Sequence, residues 1–133
     1  MTSFTEIFRA APKVLAPLVG GSDLTYRLLC RKYGCQVTYT EMCQAIYFNT
    51  YEAVSNNQKK GAPRFEFDAV VDRPLILQVA ANVSEADEVI KMVNHDMFKG
   101  RIDAVDLNCG CPQGFALARG MCCVVLWSCV SRQ

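Results

Sequence analysis

Pro74-Leu75-Ile76-Leu77-Gln78-Val79-Ala80, residues 74–80, is a nearly continuous apolar run. A run without polar alternation predicts a strand of a parallel sheet that is covered on both faces. Gln78 is its exception. A lone carboxamide in an apolar strand must find a hydrogen-bond partner or carry an energetic penalty. That partner is either a neighbouring backbone group or a bound ligand.

The pattern repeats outward from this strand. On its C-terminal side, Ser84 with Asp87 reads as a capping signal, and Ala86, Val89, Ile90 and Val93 keep helical spacing up to His95. Ile102 to Leu107 follows as a strand. On its N-terminal side, Val14-Leu15-Ala16-Pro17-Leu18 reads as a strand ended by Gly20-Gly21. Ser22 or Asp23 then caps a helix through about Tyr33, with Gly34 closing it. Gln36 to Thr40 has the β-branched and aromatic content of a strand, and Glu41 through Val54 reads as helix. Residues 55–63, polar and punctuated by Gly61 and Pro63, read as a loop. Four strands alternating with three helices predict an α/β fold of βαβ units.

Composition narrows the class. With 51% hydrophobic and 20% charged residues, the 133-residue chain is of the folded kind rather than the disordered one. A formal charge of +1 supplies no basic field that would drive nucleic-acid binding by itself. Eight cysteines suggest a disulfide scaffold, but the start MTSFTEIFRAAPKV carries no basic flank and apolar signal core, so a reducing compartment is expected. The longest apolar run, Met121 to Trp127, falls far short of the roughly 20 residues a membrane helix needs. No membrane span is expected.

The segment richest in chemistry is Val105-Asp106-Leu107-Asn108-Cys109-Gly110-Cys111-Pro112. It sets an amide and a thiol directly after a strand read as buried, at the end where parallel α/β folds bind ligands. Asn108 can donate and accept hydrogen bonds to the polar edge of a ring, and the Cys111 thiol can deliver a proton. Taken alone, Cys111 is also readable as a small buried hydrophobe.

Leu107-Asn108-Cys109-Gly110-Cys111-Pro112 resembles the asparagine-x-glycine-cysteine-proline signature of tRNA dihydrouridine synthases, flavin-containing (β/α)8 barrels. Leu15-Ala16-Pro17-Leu18-Val19-Gly20 resembles the first strand and flavin-contacting loop of that family, and Asp23 to Arg27 its aspartate-to-arginine helix start. Thr40-Glu41-Met42 and Leu77-Gln78-Val79 follow in family order. The resemblance implies that Pro17, Leu18 and Val19 line an FMN ring through backbone contacts and that Gln78 bonds its polar edge. It further implies that Asn108 holds the substrate base, and that Cys111 is the general acid while FMN, reduced by NADPH, reduces a tRNA uridine extruded from its stack.

The same resemblance makes residues 14–114 the first four β/α units of a truncated (β/α)8 TIM barrel, residues 1–13 an N-terminal extension and residues 115–133 a divergent tail. It implies cytoplasm as the default compartment. Such a half-barrel would have open first and fourth strand edges, available for dimerisation. Two other readings stand beside it: a flavin-dependent barrel oxidoreductase acting on a small molecule, and a non-catalytic half-barrel fragment. A metal is not expected, since Cys109, Cys111, Cys122, Cys123 and Cys129 lack paired C-x2-C knuckles. Cys30, Cys35 and Cys43 read as core or helix-face residues, His95 as a helix-end residue, and Lys59, Lys60 and Arg64 beside Phe65 and Phe67 as a solvated loop.

Overall fold

The computed structural model describes residues 4–54 and 65–121, and the loop read at 55–63, the 59–64 basic cluster and most of the tail lie outside them. The fold is α/β with parallel strand pairing. Among the described residues its elements are α1 (Phe4–Arg9), α2 (Leu24–Lys32), β1 (Thr38–Tyr39), β2 (Cys43–Gln44), α3 (Ala45–Val54), β3 (Leu75–Ala80), α4 (Ala86–Val93), β4 (Ala104–Leu107) and α5 (Gly114–Ala118), with a 3-10 turn at Val83–Glu85. Two compact units divide the described chain: residues 4–42, 65–78 and 96–106 form one, and residues 43–54, 79–95 and 107–121 the other.

In the first unit, β1 pairs in parallel with the start of β3, Thr38 opposite Leu75 and Tyr39 opposite Ile76. Leu75 and Leu77 are fully buried, with Val37 and Phe98 beside them in this unit's core. The strand expected at 14–18 contracts to one bridge, Val14 to Val37. Pro17 has no N–H to give, and the Leu18 N–H goes to the Ser22 hydroxyl at 2.8 Å, so no ladder continues. Helix α2 starts as expected: Asp23 accepts the Tyr26 N–H at 2.7 Å. It ends with Gly34 at φ +90°, where Cys35 N–H reaches the Cys30 carbonyl and Gly34 N–H that of Arg31. This paired bonding needs a left-handed residue, which glycine supplies. Phe65 and Phe67 stack on each other and both meet Phe98 edge-on, a packing role.

A buried charge network ties this unit together. Asp72 has no exposed surface and Arg27 only 3%. Arg27 Nε and Nη2 donate to Asp72 Oδ2 at 2.9 and 2.7 Å, Nη1 to the Ser22 carbonyl and Nη2 to the Glu66 carbonyl. Arg31 Nε and the Thr38 hydroxyl both donate to Asp72 Oδ1 at 3.3 Å, and Arg31 Nη2 also bonds the Pro74 carbonyl.

In the second unit, β2 pairs in parallel with the end of β3, Cys43 opposite Val79 and Gln44 opposite Ala80. The helix expected from residue 41 therefore starts only at Ala45. Helix α3 packs on α4, Asn49 Nδ2 donating to the Glu88 carbonyl and carboxylate at 2.8 and 2.7 Å. The buried Phe48 takes the His95 ring edge-on, two residues past the end of α4. The cap before α4 is Asn82 with Glu85, a reciprocal capping box, rather than Ser84 with Asp87. Strand β4 alternates, with Val105 and Leu107 about half exposed, so it is not the two-sided buried strand expected.

Removing one partner of a desolvated ion pair strands the other's charge. Asp72→Ala should destabilise the protein by about 3–5 kcal/mol, measured by urea unfolding, whereas Lys99→Ala, which breaks the exposed Lys99–Asp96 ion pair, should change it by less than about 0.5 kcal/mol.

Candidate functional site

The first unit holds four of the residues expected at a flavin. The loop 17–22 is built locally: Gly21 and Ser22 N–H groups donate to the Leu18 carbonyl at 3.0 and 2.9 Å, and Gly20 turns at φ +72°. No atom lies near a Cβ built on Gly20, so glycine is required there for its backbone angle rather than for space. The Gly20 N–H donates to Glu41 Oε2 at 2.9 Å. This turn leaves Val19 72% and Leu18 44% exposed, and Pro17 is half-buried.

Gln78 is buried in β3. Its backbone N–H donates to Thr40 Oγ1 at 3.1 Å, and Thr40 Oγ1 in turn donates to the Glu41 carbonyl at 3.0 Å. Its side-chain Nε2 donates to Asp106 Oδ2 at 2.8 Å. A carboxylate only accepts, so Asp106 obliges the amide to turn its nitrogen inward and fixes which way the carbonyl faces. A hydrogen-bonded path therefore runs from the Gly20 turn through Glu41, Thr40 and Gln78 to Asp106. Tyr39 senses this carboxylate: burial first, and then the Asp106 charge, push its phenol above the ordinary tyrosine value.

The second unit holds Asn108 and Cys111. Asn108 N–H donates to the Val79 carbonyl at 2.8 Å, continuing the pairing just beyond β4. Its Oδ1 accepts the Gly110 N–H at 2.9 Å, folding Asn108-Cys109-Gly110 into an Asx turn. Cys109 is thereby exposed, and Cys111 half-buried. Downstream of α5, Arg119 Nη2 meets Glu85 Oε1 at 2.5 Å and Nη1 meets Gln44 Oε1 at 3.2 Å. The guanidinium also lies over the Tyr47 ring, 5.0 Å from its centroid. Burial works against its charge, but Glu85 and Tyr47 outweigh burial and hold the Arg119 pKa above the usual arginine value.

The structure joins Gln78 to the 17–20 loop by hydrogen bonds inside one unit and puts Asn108 and Cys111 on one loop of the other. Sequence reading passed over Asp106, Asn82, Glu85 and Arg119, and gave Thr40 and Glu41 no role. The odd polar position in Val105-Asp106-Leu107 and the Asn82-x-x-Glu85 spacing were the available signals. Among the described residues, no group of three or more His, Cys, Asp or Glu side chains could hold a metal, and no helix is long and apolar enough to cross a membrane.

Residues 14–128 match the family described as Dihydrouridine synthase (Dus). The chain belongs to the dihydrouridine synthase family. It is similar to a tRNA-dihydrouridine(16/17) synthase of Saccharomyces cerevisiae, 36% identical over 104 residues that cover 78% of this chain and 23% of the yeast protein. The corresponding (16/17) synthase-like protein of Rattus norvegicus is 37% identical over 106 residues, 80% of this chain and 22% of the rat protein. A human tRNA-dihydrouridine(20a/20b) synthase-like protein is 36% identical over 113 residues, 81% of this chain and 31% of its own length. All three carry NAD(P)+ in their names, and the chain spans less than a third of each. Within the family match lie both the 17–20 turn and the Asn108–Pro112 loop.

If Asp106 supplies the charge felt by Tyr39, Asp106→Asn should lower the Tyr39 pKa. The phenolate absorbance titration of that variant, subtracted from the native curve, should show one tyrosine ionising at lower pH. Superimposable curves would rule the coupling out.

Proposed function

We propose that this chain carries the catalytic segment of a tRNA dihydrouridine synthase, which reduces uridine in tRNA with FMN as cofactor and NADPH as reductant. In this reading residues 14–114 supply the first four β/α units of a (β/α)8 barrel, residues 1–13 precede it, and residues 115–133 follow it, although the family match itself runs on to residue 128. The observation that carries the proposal is the Asn108–Cys111 loop: it closes a parallel strand in a chain of this family and offers an amide and a half-buried thiol three residues apart. The relatives' names identify tRNA and NAD(P)+ for those proteins, and that supports the same substrate class and reductant here.

The residues present fit a flavin. Leu18 and Val19 offer exposed apolar surface on a turn fixed by Ser22 and Glu41, which suits a flat ring. Gln78, its nitrogen fixed by Asp106, offers an oriented amide for a polar ring edge. Pro17, Leu18, Val19 and Gln78 are accordingly the proposed FMN residues. Bound FMN, once reduced by NADPH, supplies a hydride for the uracil double bond.

Asn108 is proposed to hold the uracil edge. Uracil conjugates its C5–C6 double bond with the C4 carbonyl, so a hydride enters at C6 and the electron pair is left at C5. Cys111 Sγ–H then gives its proton to C5, and solvent restores the thiol. The two hydrogens so added convert the double bond to a single bond, and the amide of Asn108 keeps the ring from turning away.

The purified chain should bind FMN, lose the visible absorbance of that flavin on addition of NADPH, and form dihydrouridine in tRNA that lacks it. Cys111→Ala should keep the flavin but slow dihydrouridine formation by about 10²–10⁴-fold, the range of a lost general acid. Undiminished turnover in that variant, or reduction of a small enone with none of tRNA, would overturn the reading.

A further inference from the structure

The loop bearing Cys111 is exposed at Cys109, Gly110, Pro112 and Gln113 and runs into α5, whose Ala116 is buried. Polar contacts before the loop and beyond α5 add to that packing. One is the Asn108 N–H on the Val79 carbonyl at 2.8 Å. The other is Arg119, whose carbonyl accepts from Asn82 Nδ2 at 3.2 Å and whose guanidinium meets Glu85. Both anchors thus lie within a few residues of each other on the β3 exit.

Asn82 and Glu85 are also the two halves of the capping box that starts the 3-10 turn. Asn82 Oδ1 accepts the Ser84 N–H at 2.9 Å, and Glu85 Oε2 accepts the Asn82 N–H at 3.1 Å. Capping thus uses one atom of each side chain, and the remaining atom of each, Asn82 Nδ2 and Glu85 Oε1, receives Arg119. Glu85 is 6% exposed, so losing its cation would strand a nearly buried carboxylate.

We infer that Arg119, seated on the Asn82–Glu85 box, is a positioning residue that holds the Cys111 loop in place. It touches no substrate in this scheme and acts through the loop it anchors. The inference rests on the reading of Cys111 as the proton donor, but its test does not.

Alkylation of the native chain by iodoacetamide, followed cysteine by cysteine by peptide mass mapping, reads the position of the thiol directly. Arg119→Ala should accelerate labelling of Cys111 by roughly fivefold or more, because the loop opens locally, and should leave Cys35 of the other unit unchanged. Glu85→Gln keeps a capping residue yet removes the charge, and should give a smaller acceleration at the same thiol. Arg119→Lys, which retains a cation for Glu85, should return labelling to within about twofold of native, since a lysine can keep a point-charge contact. Unchanged Cys111 labelling in both Arg119→Ala and Glu85→Gln overturns the inference, as does equal acceleration at Cys35, which marks general unfolding. If Arg119→Ala does not fold, Glu85→Gln decides alone. Altered labelling together with undiminished uridine reduction by Cys111→Ala would uphold the positioning role and defeat only the proton-donor reading.

Discussion

Asp72 lies without any exposed surface among two arginines and a threonine hydroxyl, and the first unit is organised around satisfying it. Arg27 and Arg31 sit one turn apart on α2, Thr38 begins β1, and Asp72 stands just before β3. One carboxylate therefore dictates how a helix, a strand start and the approach to the next strand meet. Arg31 extends the control by bonding the Pro74 carbonyl, the residue before β3. Register follows: with Thr38 opposite Leu75, Thr40 falls where its hydroxyl takes the Gln78 N–H. The position of the Gln78 amide is thus a consequence of a charge six residues upstream.

Such a network is a weak source of net stability, since desolvating the charges costs about as much as their attraction returns. Its effect is on uniqueness. Each of the three guanidinium nitrogens of Arg27 has a defined acceptor, so any alternative packing of α2 leaves a buried charge without a partner. Hydrophobic contacts at Leu75 and Leu77 tolerate small shifts, whereas these directional bonds do not.

Local signals in the sequence were legible where the physics is local. The Asp23 cap and the Gly34 terminus of α2 depend on residues a few positions apart, and both stand as read. The apolar run at 75–80 is buried throughout, as its composition required. Readings that depended on distant partners went astray. Residues 41–44 look helical, but Glu41 holds the Gly20 turn, and Cys43 and Gln44 pair with Val79 and Ala80. Pro17 and the Ser22 hydroxyl end the strand read at 14–18 after one bridge. Gln78 was correctly marked as needing a partner, yet Asp106, 28 residues on, could not be paired with it from composition.

The second unit places the same chemistry in a more exposed setting, and the difference matters. Arg119 is 26% exposed where Arg27 is 3%, and one face of it rests on Tyr47 rather than within a closed shell. A partly solvated arginine can leave its partner at lower cost than a fully buried one, because water recovers part of its hydration. The Asn82–Glu85 box, in contrast, is a short-range device that forms with the turn itself. It is therefore in place whether or not Arg119 is docked. A preformed receptor with a separable cation gives the segment from Asn108 through α5 to Arg119 one defined resting position, while Cys109, Gly110, Pro112 and Gln113 within it stay exposed. Under the proposed reading of Asn108 and Cys111, that combination suits a thiol that has to reach a bound base: polar contacts at the ends limit where the sulfur stands, and the exposed positions around it leave room for a ring.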